Sequence, residues 1–339
     1  MAEPRVSVIM PAFNAASYIR HAVKSMLNQD EPSWELLILD DGSTDETLGA
    51  AKAASDGDPR VIVWSQENRG VVFTRNALLQ RCRADYVAML DADDIAHPER
   101  LAFQSAFLDA RPGVVVCGTD VLQIDEEHRP IGVGRSPHQL DSHAGRVERL
   151  LEGDSSAIRQ PSAMMRRQAI ERAGRYVDRG VSLCEDLELM LKLSEVGEVC
   201  LCPRPLTLYR RRSDSLNLSA GDKGRDVYRD ILRDAYARRG LDRHPPERRT
   251  TAEFARSERL FDWSRVALRE GFLVTSRRYI RRALLDSPVS WKLWVQAAKA
   301  HLPRKVIAKK LRWERSFGIR EHYRQAMQAA GLDTGGLFL

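Results

Sequence analysis

Tyr86-Val87-Ala88-Met89-Leu90-Asp91-Ala92-Asp93-Asp94 is the stretch on which the reading of the fold turns. A short strand-like run ends abruptly in three carboxylates, and alternate residues at a strand's end point the same way. Asp91 and Asp93 can therefore face one ion. Mg²⁺ or Mn²⁺ favours such oxygens, takes its remaining ligands from substrate phosphates, and offsets charge on a departing nucleotide diphosphate. A surface turn or helix cap also explains an isolated Asp-x-Asp, and the strand ahead of it is what shifts the balance toward a ligand site.

Working outward, Val6 to Met10, Leu36 to Asp40 and Val61 to Trp64 read as three further strands, separated by helical patterns. Ile19, Ala22, Val23, Met26 and Leu27 recur at helical spacing, so this crossover presents one apolar face to a parallel sheet. The alternation predicts βαβ units. Each strand ends in polar residues, namely Asn14, then Asp40 and Asp41, then Asp91, and in open α/β sheets the carboxyl-end loops form the ligand crevice.

Other polar blocks carry two readings each. Asp40-Asp41-Gly42-Ser43-Thr44-Asp45 is a turn capped by Ser43 or Thr44, a site for a base or ribose, or both together. Glu185-Asp186 precedes Leu187, Met190 and Leu191, so the pair sits at a helix N-terminus, where acidic residues also serve simply to start helices. Arg210-Arg211-Arg212 is a solvated basic run or a diphosphate contact. His97-Pro98-Glu99-Arg100 is expected to begin the next helix with Pro98 in its first turn.

The chain of 339 residues is long enough for a large domain plus a smaller one. Its five cysteines are scattered, without the spacing of a zinc site, which fits a reducing cytosol. The first apolar run is too short for a signal peptide core or a membrane span. A net charge of +6 admits a diphosphate, an anionic glycan, a membrane surface or nucleic acid. From about Asp222 helical patterns follow one another without strands, near Thr251 to Arg269, Leu273 to Leu285 and Ser290 to Leu302. In the last, Trp291, Trp294, Val295, Ala298 and Leu302 share a face, with Lys292, Lys299, Lys305, Lys309 and Lys310 nearby. Packing against neighbouring helices is the favoured reading of that face, and weak peripheral contact with an anionic membrane is the other.

Four blocks together resemble the family-2 glycosyltransferases of GT-A fold. They are Val6-Ser7-Val8-Ile9-Met10-Pro11-Ala12-Phe13-Asn14, Leu39 to Asp45, Asn68-Arg69-Gly70 with Thr74-Arg75-Asn76, and Asp91-Ala92-Asp93-Asp94 with Pro98 and Arg100-Leu101. The likeness covers roughly residues 4 to 218. It implies a Rossmann-like, mostly parallel sheet sandwiched by helices as a catalytic domain over 1–218, with a helical C-terminal extension over 219–339. It also implies that Pro11, Phe13, Asp41, Arg75, Asp91 and Arg212 contact the nucleotide donor, with Asn14 supporting its loop. Asp93 becomes the main metal ligand beside Asp91, and Asp94 a support. Glu185-Asp186 resembles the family's acidic pair, whose second member acts as general base. The family often has a histidine near the position of Arg212, so a third protein ligand is missing from the pattern here.

The expected activity is transfer of a sugar from a nucleotide donor, a UDP-sugar first, to an acceptor hydroxyl with inversion, in polysaccharide or glycoconjugate synthesis. The partners are then a nucleotide sugar and a glycan, glycolipid or glycoprotein acceptor. Two rival readings are a sugar nucleotidyltransferase, for which no glycine-rich, arginine-containing N-terminal loop is visible, and a non-catalytic glycan-binding scaffold, against which both aspartates argue. Nucleic acid is disfavoured, since the basic residues lack interleaved aromatics. The expected location is the cytoplasm, including the inner face of its membrane.

Overall fold

A computed structural model describes residues 3–134, 142–181, 184–211, 221–247, 256–302 and 316–332. The N-terminal half alternates β1 (Val6–Ala12), α1 (Ile19–Leu27), β2 (Trp34–Asp40), α2 (Thr47–Ser55), β3 (Val61–Ser65), α3 (Val71–Arg81) and β4 (Tyr86–Met89). Then come β5 (Ile95–Ala96), α4 (Arg100–Asp109), β6 (Val114–Ile124), β7 (Pro130–Gly134), α5 (His143–Leu151), β8 (Met164–Arg166), α6 (Arg167–Arg172), α7 (Glu185–Val196) and β9 (Glu198–Arg210). The four strands expected from sequence are β1 to β4. Pro98 precedes α4 instead of lying in its first turn, because Glu99 takes the capping position.

The strands form one sheet in the order β3-β2-β1-β4-β8-β6-β9-β5, with β7 paired to β6. β1, β2, β3, β4, β6 and β9 run the same way, and β5, β7 and β8 run against them. The long β6 is shared along one edge: β8 pairs with Val116 and Cys117, and β7 with Val121 to Ile124. Period-2 alternation sorts the core into two layers. Ile9, Leu37, Leu39, Val87 and Met89 pack with α3 and α7 on one face, while Val8, Met10, Leu36, Ile38 and Ala88 pack with α1, α2 and α4 on the other.

The C-terminal helices are α8 (Gly221–Arg238), α9 (Arg256–Arg269), α10 (Leu273–Asp286), α11 (Trp291–His301) and α12 (Ser316–Ala329). α8 buries Tyr228, Ile231, Leu232 and Ala235 in the same core layer as the sheet. α9, α10 and α11 form a cluster of their own that reaches the sheet at Ile131 of β7. α12, which has no counterpart in the sequence reading, docks on Ile95, Leu122 and Leu208 through Ile319, Tyr323 and Met327.

One expectation is reversed. Trp291, Trp294, Val295, Ala298 and Leu302 are exposed, and the opposite side of α11, with Leu293, Gln296 and Ala300, is the buried one. Hydrophobicity alone points to the tryptophan stripe as the packed face. The side that meets α9 and α10 is the one with Leu293 and Ala300, so the neighbours available to α11 decide which face is covered.

Tyr323 is fully buried, and its hydroxyl donates to the His128 carbonyl oxygen at 2.5 Å. Tyr323→Ala removes both the ring and that bond, and urea denaturation should register a loss of about 3–5 kcal/mol, the usual range for deleting a buried aromatic.

Candidate active site

The crevice lies past the carboxyl ends of β1, β2 and β4, and its loops are tied together before any ligand is considered. Asn14 sits in the left-handed region, at φ 48. Its Oδ1 accepts from Thr44 N–H at 2.9 Å, while its own N–H donates to Ser43 Oγ at 2.9 Å. Ala15 N–H donates to Thr47 Oγ1 and Ala16 N–H to Asp45 Oδ2, so the first loop is laced onto the second.

Asp40 and Asp41 both turn inward. Asp40 accepts from the hydroxyls of Ser43 and Ser65. Asp41 Oδ1 accepts from Gln66 Nε2 at 2.8 Å and Arg69 N–H at 2.9 Å, and Oδ2 accepts from Gly70 N–H at 2.9 Å. Arg69 and Gly70 lead into α3, whose first amides have no partner within the helix, so Asp41 secures that entry. Gly42 at φ +70 makes the approach feasible, because a Cβ there would lie 2.7 Å from Asn68 N. Pro11 lies on β1 opposite Leu39, and Phe13, just past the strand, is 49% exposed, an aromatic face open at the crevice.

The acidic turn after β4 is crowded. Asp91, Asp93 and Asp94 can each place a carboxylate oxygen within 4.8 Å of the others. Asp94 is buried; its Oδ1 accepts from Arg210 N–H at 2.7 Å, and its Oδ2 has no hydrogen-bond partner among the described residues. Burial, then the charges of Asp93 and Asp91, push its pKa well above the ordinary carboxylate value. Asp91 keeps 31% of its side chain exposed, yet the protein around it still opposes the charge. Burial raises its pKa to about 6, with Asp93 and Glu185 adding to the effect and Arg75 opposing it. An orphaned buried oxygen among mutually raising carboxylates is the donor set a hard divalent cation fits.

Arginines surround this turn. Arg75 on α3 reaches Glu185 Oε1 at 2.5 Å through Nη1 and stands 3.7 Å from Asp91 Oδ1 through Nη2. Its Nε has no partner among the described residues. Burial works against its charge, but Glu185, Tyr176 and Asp91 together hold it firmly protonated. Arg75 thereby joins α3, the end of β4 and the first turn of α7, and brings Glu185 and its neighbour Asp186 to the acidic turn. The adjacent Asn76 exchanges hydrogen bonds with the backbone of Tyr176, at 2.9 and 3.2 Å.

Arg210, read from sequence as part of a solvated run or a diphosphate contact, and Arg100, part of the block that carries the family resemblance, both turn out to support the acidic turn from the protein side. Arg210 Nε donates to the Asp93 carbonyl at 2.8 Å and Nη1 to the Asp125 carbonyl at 2.7 Å; Nη2 meets His128 Nδ1 at 3.0 Å, and the guanidinium lies 4.5 Å over the Tyr18 ring. The period of β9 holds the clue: Leu206, Leu208 and Arg210 fall on one buried side, which argues against a solvated run. Arg100, fully buried behind the turn, donates to the Met89 carbonyl at 2.6 Å, and burial lowers its pKa to about 10. Arg212, expected near the donor, lies outside the described residues.

Comparison with known proteins agrees with this architecture. Residues 7–174 match the family model described as glycosyl transferase family 2. The provisionally named glycosyltransferase EpsE of Bacillus subtilis (strain 168) is 38% identical over 125 residues, 36% of this chain and 45% of that protein. Chondroitin synthase of Escherichia coli is 41% identical over 96 residues, 28% of this chain and 14% of that one. The chain thus spans less than half the length of these curated relatives. The crystal structure of S. aureus TarS 1-349 in complex with UDP-GlcNAc aligns over 97% of this chain and 93% of that one, with a TM-score of 0.57 at 17% identity. With its GT-A fold and a matching segment that contains β1 to β4 and the acidic turn, this chain belongs to glycosyl transferase family 2.

Proposed function

We propose that the chain transfers a sugar from a nucleoside-diphosphate donor to an acceptor hydroxyl, with inversion and with the help of a divalent cation. The observation that carries the reading is the acidic turn of Asp91, Asp93 and Asp94 at the end of β4, linked through Arg75 to the acidic start of α7. Asp93 and Asp91 would hold Mg²⁺ or Mn²⁺, with Asp94 adjoining them. Bound there, the ion supplies positive charge that offsets the departing diphosphate. UDP-GlcNAc, which TarS 1-349 holds, is the first donor to try. The chondroitin synthase relative favours a polysaccharide or glycoconjugate acceptor. We place the catalytic unit at least through α8, which shares the core layer of the sheet.

The roles divide by geometry. Phe13 offers a stacking surface for a base beside Pro11, and Asn14 and Asp41 keep the nucleotide loops in register. Arg75 orders the two acidic regions relative to each other. Arg75 clamps Glu185 at 2.5 Å, and Asp186, the second member of the acidic pair that the family resemblance assigns, is the general base in this reading. Asp186 removes the acceptor hydroxyl proton while that oxygen attacks C1 from the face opposite the leaving diphosphate, and the anomeric configuration inverts.

Screening nucleotide sugars for nucleoside-diphosphate release, with Mn²⁺ or with a chelator, tests the reading directly. Turnover should require the metal with at least one donor and vanish in Asp93→Ala; metal-independent turnover, or an active Asp93→Ala protein, would overturn it. Asp186→Asn should bind donor normally while kcat falls by about 10²–10⁴-fold, the usual contribution of a general base.

The elevated pKa of Asp91 sets a pH signature. In the metal-free chain the folded carboxyl binds its proton more tightly than the unfolded one, so stability is lost as pH rises from the ordinary value of 3.8 through about 6. A cation competes with that same proton. Thermal-shift measurements should therefore show Mn²⁺ raising Tm far more at pH 7 than at pH 5, and Asp91→Asn should remove most of the difference.

A further inference from the structure

The end of α10, the turn after it and α11 carry a run of large apolar side chains in solvent. Leu285 is 83% exposed, Val289 93%, Trp291 69% and Trp294 58%, and Val295 and Leu302 continue the face along α11. Isolated exposed leucines need no explanation, but a contiguous patch with two indoles does. α11 is held firmly from its other side: Leu293 and Ala300 are buried in the cluster with α9 and α10, and Arg277 Nε donates to the Ala300 carbonyl at 2.9 Å. The exposed face is thus presented by an anchored helix. Trp294 Nε1 donates to the Pro288 carbonyl at 2.7 Å, which satisfies its polar edge within the protein and leaves the ring outward.

Charge identifies what the face fits. Lys292 and Lys299 stand exposed on α11 among these residues. From Ser287 to Trp313 the sequence contains no aspartate or glutamate, and it adds Arg304, Lys305, Lys309, Lys310 and Arg312 after the helix. Exposed aromatic and aliphatic groups with flexible cationic heads beside them, in a stretch of sequence without acidic residues, is the chemistry of an amphipathic surface lying on anionic lipid. Among the described residues no helix is long and apolar enough to cross a membrane, so contact of this kind is peripheral.

We infer that the exposed face of α11, with the turn before it, docks the protein on the surface of an anionic phospholipid bilayer. The indoles and Val289 enter the headgroup boundary while Lys292 and Lys299 meet lipid phosphates. The inference stands apart from the reading of the active site, and neither falls with the other.

Sedimentation of the full chain with vesicles of phosphatidylcholine alone, or of equal parts phosphatidylcholine and phosphatidylglycerol, provides the test. The protein should pellet with the mixed vesicles at low salt and be released at high salt. Trp291→Ser with Trp294→Ser, and separately Lys292→Ala with Lys299→Ala, should each weaken binding by about tenfold or more. Circular dichroism should be unchanged in both variants, and any turnover of soluble donor should be unaffected. Absence of binding to the mixed vesicles, or tryptophan-substituted protein that is folded and binds like wild type, would overturn the inference. So would light scattering showing a dimer that the tryptophan substitutions dissociate without any lipid binding, since the face would then join two copies of the chain.

Discussion

Like-charge crowding in one short turn is the constraint around which the site is organised. Asp91, Asp93 and Asp94 converge at the end of a buried strand, where Asp94 is fully enclosed and water reaches the other two only in part. Three arginines answer that crowding: Arg75 from α3 and Arg100 from the start of α4, on either side of the turn in sequence, and Arg210 from β9 more than a hundred residues on. None can coordinate a cation, so they reduce the repulsion without filling the position between the carboxylates. The Asp94 oxygen that has no hydrogen-bond partner among the described residues is what that arrangement leaves over.

A second consequence concerns side chains that the family resemblance assigns to the donor. Asn14, Asp41 and Arg75 each have protein partners that hold a loop or helix end in place. Loops beyond strand ends carry backbone amides with no ladder to enter, and a short carboxylate or amide side chain is the cheapest local acceptor for them. The walls of the crevice are therefore built by polar residues, and Phe13 is the large side chain from the first loop that faces outward.

The C-terminal helices are connected to this hub. Arg210 holds the carbonyl of Asp93 and that of Asp125; Asp125 accepts from the Tyr279 hydroxyl of α10 at 2.7 Å, and His128 beside it accepts from Tyr323 of α12. The β6–β7 turn is thus the common support of the acidic turn and of two helices far along the chain. Burial at this junction lowers the pKa of His128 to about 4, so it stays neutral there and its Nδ1 can accept from Arg210.

Local pattern was enough for the parts of the molecule whose physics is local. The β-branched runs of β1 to β4, the apolar face of α1 and the acidic start of α7 follow from periodicity and capping, and the acidic turn was legible because a strand of known direction precedes it. The helix α12 is not legible in local pattern, since its burial depends on a surface made by β5, β6 and β9. The exposed face of α11 departs from local pattern for a related reason: hydrophobicity says which side chains avoid water, while the neighbour that actually covers a helix is set by packing. In the same way, the sequence alone determined that carboxylates and arginines would be present at the crevice, and only the tertiary structure decided which of them meet. Arg75 with Glu185 and Arg210 with Asp93 are pairings across more than a hundred residues, and contacts of that range arise from chain topology, which no local spacing encodes.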